Sequence, residues 1–394
     1  MVSTVLLQST GDDKQNLENS IMVTIDNVPC WRGPFKALIN LASSLRDRPA
    51  EVKPVTIKTI EATMKRVSDA SGKWEDEGCT LVRKLQDAAR NSGSVELMKK
   101  GGQFVAVKRM PSSWVCQSPE EFSKTYPTSG EKPWLDLGII QHLNDIEFPY
   151  ACKLHGLFRS ESETPETFVT MSFCAEGDLF SWVERRSTPA PGPAREEALL
   201  PLATQLISGV RYLHEMGIAH RDISLENVLL DDGHKGKQAL YIIDFGMATL
   251  QRYVKREIRG KASYQAPEMH GPDEVDTFLL DNFAIGVLLF AAASQDYPWT
   301  NTRRNSCQLF EYAFTFGIRR FLEKRKLRKG NGEYLIQVFS AGFTELLEAL
   351  TRVRHEQRAS LGETCFTSKV AKRRTNVWDL GWLKKGPGMT WQRV

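Results

Sequence analysis

HRDISLEN at residues 220–227 decides the reading of this chain. Three shorter strings stand around it in one order: VAVK at 105–108 upstream, then DFG at 244–246 and APE at 266–268 downstream. Lys108 to Asp222 is 114 residues, Asp222 to Asp244 is 22, and Asp244 to Glu268 is 24. A three-residue string is common by chance; four in this order are not. FVAVK (104–108) alternates as a strand that ends on Lys108, and LYIIDFG (240–246) is an apolar strand that ends at a carboxylate. EEALLPLATQLISGVRYLHEM (196–216) carries an apolar stripe at helical spacing and runs into HRD. A lone strand-end lysine is ordinarily a solvated surface group, and polar loop residues ordinarily form turns. Only the combination reverses those readings.

The ordered set resembles the eukaryotic-type protein kinases over roughly residues 79–364. The resemblance implies a bilobal α+β fold: a β-rich N-lobe with one main helix (79–171), a hinge (172–175) and a larger, mostly helical C-lobe (176–364). It implies ATP and Mg2+ as cofactors and transfer of the γ-phosphate to Ser/Thr hydroxyls of protein substrates. Lys108 would hold the α- and β-phosphates, Asp222 would accept or align the proton of the attacking hydroxyl, and Asn227 and Asp244 would bind metal. Phe245 and Gly246 complete the DFG motif. Glu268 would pair with Arg358, and Asp281 would steady the catalytic loop; both roles are structural. In TFVTMSFCAEGDLFSW (167–182), Met171 matches the gatekeeper, Ser172 to Cys174 the segment that offers backbone groups to adenine, and Asp178 the acid near the ribose. Val95, Ala106 and Leu229 match the residues that sandwich the base. Tyr264 and GKASYQAPE (260–268) look more like the Ser/Thr than the Tyr version of the segment.

Three departures stand out. The glycine-rich loop reads AARNSGSV (88–95) and keeps only Gly93, so less backbone N–H is brought close to phosphate. The partner of Lys108 falls on Asp136 of DLGIIQHLN, one methylene shorter than the usual glutamate, with Glu120, Glu121 and Glu131 as alternatives. Ser224 replaces the lysine two residues after the catalytic aspartate, while Lys261 replaces the threonine of the G-T-x-x-Y-x-A-P-E segment. In the family fold those positions touch, so Lys261 stands in for the missing cation. An alternative reading is a pseudokinase scaffold with little or no phosphotransfer. Arg221 is the arginine that a loop phosphate neutralises in many relatives; here Glu257 occupies the phosphosite position.

The rest of the chain bounds the setting. Of a net charge of +4, residues 365–394 contribute seven Lys/Arg against one Asp, so the basic character lies in the tail. Seven scattered cysteines with no C-x-x-C pair suggest a reduced intracellular protein without a structural metal, cytoplasmic or, given KRR at 372–374, nuclear. From MVSTVLLQSTGDD no secretory signal is expected, and with Val2 in place of glycine no N-myristoylation, while FAIGVLLFAAA (283–293) is too short to span a bilayer and reads as a core helix. Residues 1–78 form an extension of unknown role, with a helix expected over 31–46. PAPGP (189–193) reads as a loop breaker. Trp378, Trp382 and Trp391 of the 365–394 tail either dock on the body or contact nucleic acid or an anionic membrane.

Overall fold

The computed structural model describes residues 53–88, 93–115, 119–127, 129–232, 238–366 and 374–385, all within the compact unit Pro49–Val394. The helix expected over 31–46 lies outside the described residues, as does Trp391.

The first element among the described residues is helix α1 (Ile57–Asp69), capped by the Thr56 side chain, which accepts from Thr59 N. Strands β1 (Gly72–Lys73), β2 (Thr80–Ala88), β3 (Gly93–Lys100) and β4 (Gln103–Pro111) follow. After helices α2 (Pro119–Thr125) and α3 (Pro133–Asp145), β5 (Leu154–Arg159) and β6 (Glu166–Ser172) complete a sheet in the order β1-β5-β6-β4-β3-β2. β4 is flanked by β3 and β6, with Lys108 opposite Val95 on one side and Val169 on the other. Strand alternation sorts its side chains: Val105 and Val107 are buried in the sheet core, whereas Ala106 and Lys108 share the opposite, partly open face.

Folded structure begins before residue 79. Ile60 and Met64 of α1, four apart and therefore on one face, are fully buried against α3. Burying a side chain such as Ile60 contributes roughly 1.5–3 kcal/mol.

The large lobe contains α4 (Leu179–Glu184), α5 (Pro193–Glu215), strand pairs β7 (Val228–Asp231) with β8 (Ala239–Ile242) and β9 (Tyr253–Lys255) with β10 (Glu274–Asp276), then α6 (Thr277–Ser294). α7 (Gln308–Phe316), α8 (Ile318–Lys324), α9 (Leu335–Val338), α10 (Ala341–Leu350) and α11 (Gly381–Lys385) close it. Pro193, expected to end a loop, instead opens α5, since a first-turn proline gives up no helical hydrogen bond. α6 is apolar and long enough to cross a membrane, yet all 18 of its residues are buried inside the protein.

The body also extends past residue 364. Val377 N donates to Ser360 O, Trp378 Nε1 donates to Leu361 O, and buried Trp382 packs on Phe343 while donating Nε1 to Glu196 Oε2. Of the two tail readings, docking on the body is what these two tryptophans adopt.

Candidate active site

The catalytic loop is held from below by one carboxylate. Asp281, buried on α6, accepts His220 N at 2.7 Å and Arg221 N at 2.8 Å. These bonds fix Arg221 at φ 65°, a left-handed conformation a non-glycine residue adopts only under constraint. Burial alone would push the Asp281 carboxyl up; hydrogen bonding to His214 and the nearby imidazoles outweigh it and hold it low.

Above this support, Asn227 Nδ2 donates to Asp222 O at 2.7 Å and to Asp222 Oδ2 at 3.1 Å. Asp222 Oδ1 is buried with no hydrogen-bond partner among the described residues. An unsatisfied buried carboxylate oxygen is costly, and such cost concentrates where function requires it. Burial raises the Asp222 carboxyl above its ordinary range, against the opposing fields of His220 and Lys261. Gly260 passes directly over it: with φ +79°, a Cβ there would lie 2.7 Å from Arg221 O and 3.3 Å from Asp222 Oδ1. No side chain fits at that crossing.

Lys108 Nζ lies 2.8 Å from Asp136 Oδ2, so Asp136 makes the pair, with Glu131 adding to the field. Burial would lower the ammonium, but Asp136 and Asp244 hold it above its usual value. The second oxygen of Asp136 is also used, since Oδ1 accepts Phe245 N at 2.8 Å. The short side chain thus ties the strand lysine to the DFG turn. Phe245 is fully buried beside His220, and Lys132 N donates to Gly246 O at 2.8 Å. Asp244 has φ 66°, and its Oδ1 accepts a long 3.4 Å bond from Gly246 N.

Val95, Ala106, Met171 and Leu229 are each half-buried, unlike the sealed neighbours Val107, Val169 and Leu230. Partial exposure leaves them open to a ligand such as the base that the resemblance implies. In the hinge, Ser172 N is taken by Lys153 O, Ala175 N by Asp231 Oδ1, and Cys174 is buried with its sulfur 3.8 Å from Cys152 Sγ. Asp178 caps α4 through Ser181 N at 2.7 Å. Gly93 opens β3 opposite Ala88; the loop between them, 89–92, lies outside the described residues.

Lys261 Nζ reaches the catalytic loop, donating to Ser224 Oγ at 2.8 Å and lying 2.8 Å from Glu226 Oε2. Glu226 was not singled out in the sequence, although it sits inside HRDISLEN; Lys261 outweighs its burial and keeps its carboxyl low. Arg221 pairs with Glu257 Oε2 at 2.7 Å, and Arg259 Nε approaches the same oxygen at 3.2 Å. Glu268 and Arg358 form a two-pronged pair at 2.5 and 2.9 Å, with the arginine fully buried. Removing one partner of such a pair costs about 3–5 kcal/mol, because the other charge is stranded.

The protein kinase domain family matches residues 91–369. This chain belongs to that family. Serine/threonine-protein kinase grp of Drosophila melanogaster is 29% identical over 234 residues, covering 58% of this chain and 40% of that protein. Serine/threonine-protein kinase PRR2 of Saccharomyces cerevisiae is 25% identical over 323 residues, covering 80% of this chain and 41% of that protein. A putative protein kinase C delta type homolog of D. melanogaster is 34% identical over 156 residues, covering 39% and 21%. This chain therefore spans less than half the length of each of these relatives.

Family membership implies ATP as phosphate donor and general use of Mg2+. The residues fit that ion: Asp244 and the Oδ1 of Asn227 would offer hard oxygen donors, and Mg2+ in phosphate sites takes only one or two protein carboxylates. Among the described residues no group of three or more His, Cys, Asp or Glu is placed to hold a metal.

Proposed function

We propose that this protein kinase is an active enzyme that transfers the γ-phosphate of ATP to Ser/Thr hydroxyls of protein substrates. The observation that carries the reading is Lys261: its ammonium stands at Ser224, two residues after Asp222, where a cation is missing from the catalytic loop. Glu226 Oε2, 2.8 Å away, holds the ammonium at that place, beside the aspartate that would align the acceptor hydroxyl.

In this reading Asp222 aligns the acceptor hydroxyl through its unpartnered Oδ1 and takes its proton, Asn227 orients Asp222, and Lys108 positions phosphate oxygens. Asp244 and Asn227 would hold Mg2+, which when bound neutralises phosphate charge. Lys261 supplies further positive charge where charge develops. The setting is intracellular, where ATP is available.

A pseudokinase remains the second reading, favoured by one feature, the single glycine of the 88–95 loop. Mg-ATP turnover on a degenerate peptide library, with Asp244→Asn as control, separates the two. Turnover lost in the variant supports the enzyme; none in either, together with nucleotide-independent partner binding, supports the scaffold.

A further inference from the structure

Asp136 works at short reach, so the position of α3 matters more here than for a longer side chain. Part of what holds α3 lies outside the family match: α1, at Ile57–Asp69, is upstream of residue 91.

Two residues beyond Asp136, α3 carries Gly138, and α1 crosses there. A Cβ on Gly138 would lie 2.5 Å from Ile60 Cγ2, 3.0 Å from Met64 Cγ and 3.4 Å from Ile60 O. The Ile60 and Met64 side chains pack directly on the Gly138 backbone, a close approach that a side chain at 138 would force apart. α1 and the residues that lead into it are held at three further points. Val55 N donates to Met216 O at 2.8 Å in the large lobe, Ser68 Oγ accepts from Arg159 of β5 at 2.7 Å, and Arg66 pairs with Asp145 at the far end of α3. α3 is thus pinned along its outer face by a helix that also grips the sheet and the large lobe. Its inner end is pinned to the DFG turn through Lys132 N and Asp136 Oδ1.

We infer that α1 is a built-in positioning element for the Lys108–Asp136 pair, with Ile60 as the residue through which it acts. A helix that merely filled space would need neither a glycine at the crossing nor anchors in both lobes. The inference rests on the phosphotransfer reading for its kinetic form, and on nucleotide binding for a form independent of it.

The test uses the full chain with Ile60→Ser, Ile60→Val, Gly138→Ala and Asp136→Asn, the last also combined with Ile60→Ser. Steady-state kinetics give kcat, KM for ATP and KM for peptide, and Mg-ADP affinity is measured beside them. Ile60→Ser is expected to lower kcat/KM for ATP by about tenfold with peptide KM unchanged, and Ile60→Val to stay within about twofold. Gly138→Ala, which improves helix propensity in α3 while pushing α1 away, is expected to fall several-fold and covers the case in which Ile60→Ser does not fold. In the Asp136→Asn background Ile60→Ser should add less than about a further twofold, because residues acting through one contact are not additive. Equal losses in both backgrounds, or an unaffected Gly138→Ala, would overturn the inference. Should the unmodified chain show no turnover, the enzyme reading fails, and the same variants are judged by Mg-ADP affinity alone: coupled losses uphold the positioning role, and unchanged affinities reject it.

Discussion

Lys261 Nζ stands 2.8 Å from Ser224 Oγ, joining the activation segment to the catalytic loop through a single ammonium. Its second contact, Glu226 Oε2 at 2.8 Å, fixes the direction of the side chain. Lys261→Thr should lower turnover by about 10- to 100-fold, the scale of losing one charge-stabilising group. Adding Ser224→Lys should restore part of it, with a coupling of roughly 0.5–3 kcal/mol. Kinetics of the two single variants and the double variant check this; strict additivity would make Lys261 a surface residue.

Arg221 and Glu257 form the second such bridge. Arg221 is buried and Glu257 partly exposed, and Lys132 and Arg259 add positive charge around them. Burial would raise the Glu257 carboxyl, but Arg221 and Arg259 hold it below its ordinary value, so the pair persists through neutral pH. The expected outcome is full activity in protein stripped by phosphatase, with mass spectrometry showing a bare loop, and a clear loss in Glu257→Ala. A carboxylate carries about one charge against the 1.5–2 of a phosphate, so its hold is the weaker. Inactivity of the bare protein, rescued by phosphate at Thr249 or Ser263, would be the opposite result.

His214 predicts a pH dependence. Its ring is fully buried between Glu363 Oε1 at 2.8 Å and Asp281 Oδ2 at 3.0 Å. Burial pushes the imidazolium down, but hydrogen bonds to Asp281 and Glu363 overcome this and raise it to about 9 from 6.5. A folded-state value above the unfolded one stabilises fully below pH 6.5, and that contribution disappears as pH rises through about 9. Thermal melts should therefore show Tm falling between those limits, with the slope flattened in His214→Gln. A slope unchanged by the substitution would assign it to other groups.

The parts of the site legible in the sequence are those carried by short, ordered motifs. Lys108, Asp222, Asn227 and Asp244 could be named because each ends or follows a segment whose pattern is local. Asp136 was reachable only by counting along a helix, and its second bond to Phe245 N depends on a turn 109 residues away. The His214–Glu363 contact, spanning 149 residues, has no local signature at all. α1 has apolar residues at helical spacing, yet amphipathic spacing says only that a face is buried, not against what. Its partner, Gly138, reads as an ordinary helix-weakening glycine until the crossing is seen.

The central claim, that this kinase performs phosphotransfer, is tested most directly by Mg-dependent ATP turnover in the unmodified protein beside Asp222→Ala and Asp244→Asn. Asp222 Oδ1 has no partner among the described residues and Asp244 Oδ1 accepts a long 3.4 Å bond, so both variants should keep native melting behaviour while turnover drops by several powers of ten. Near-native turnover in Asp244→Asn, or none in the unmodified protein, would contradict the account.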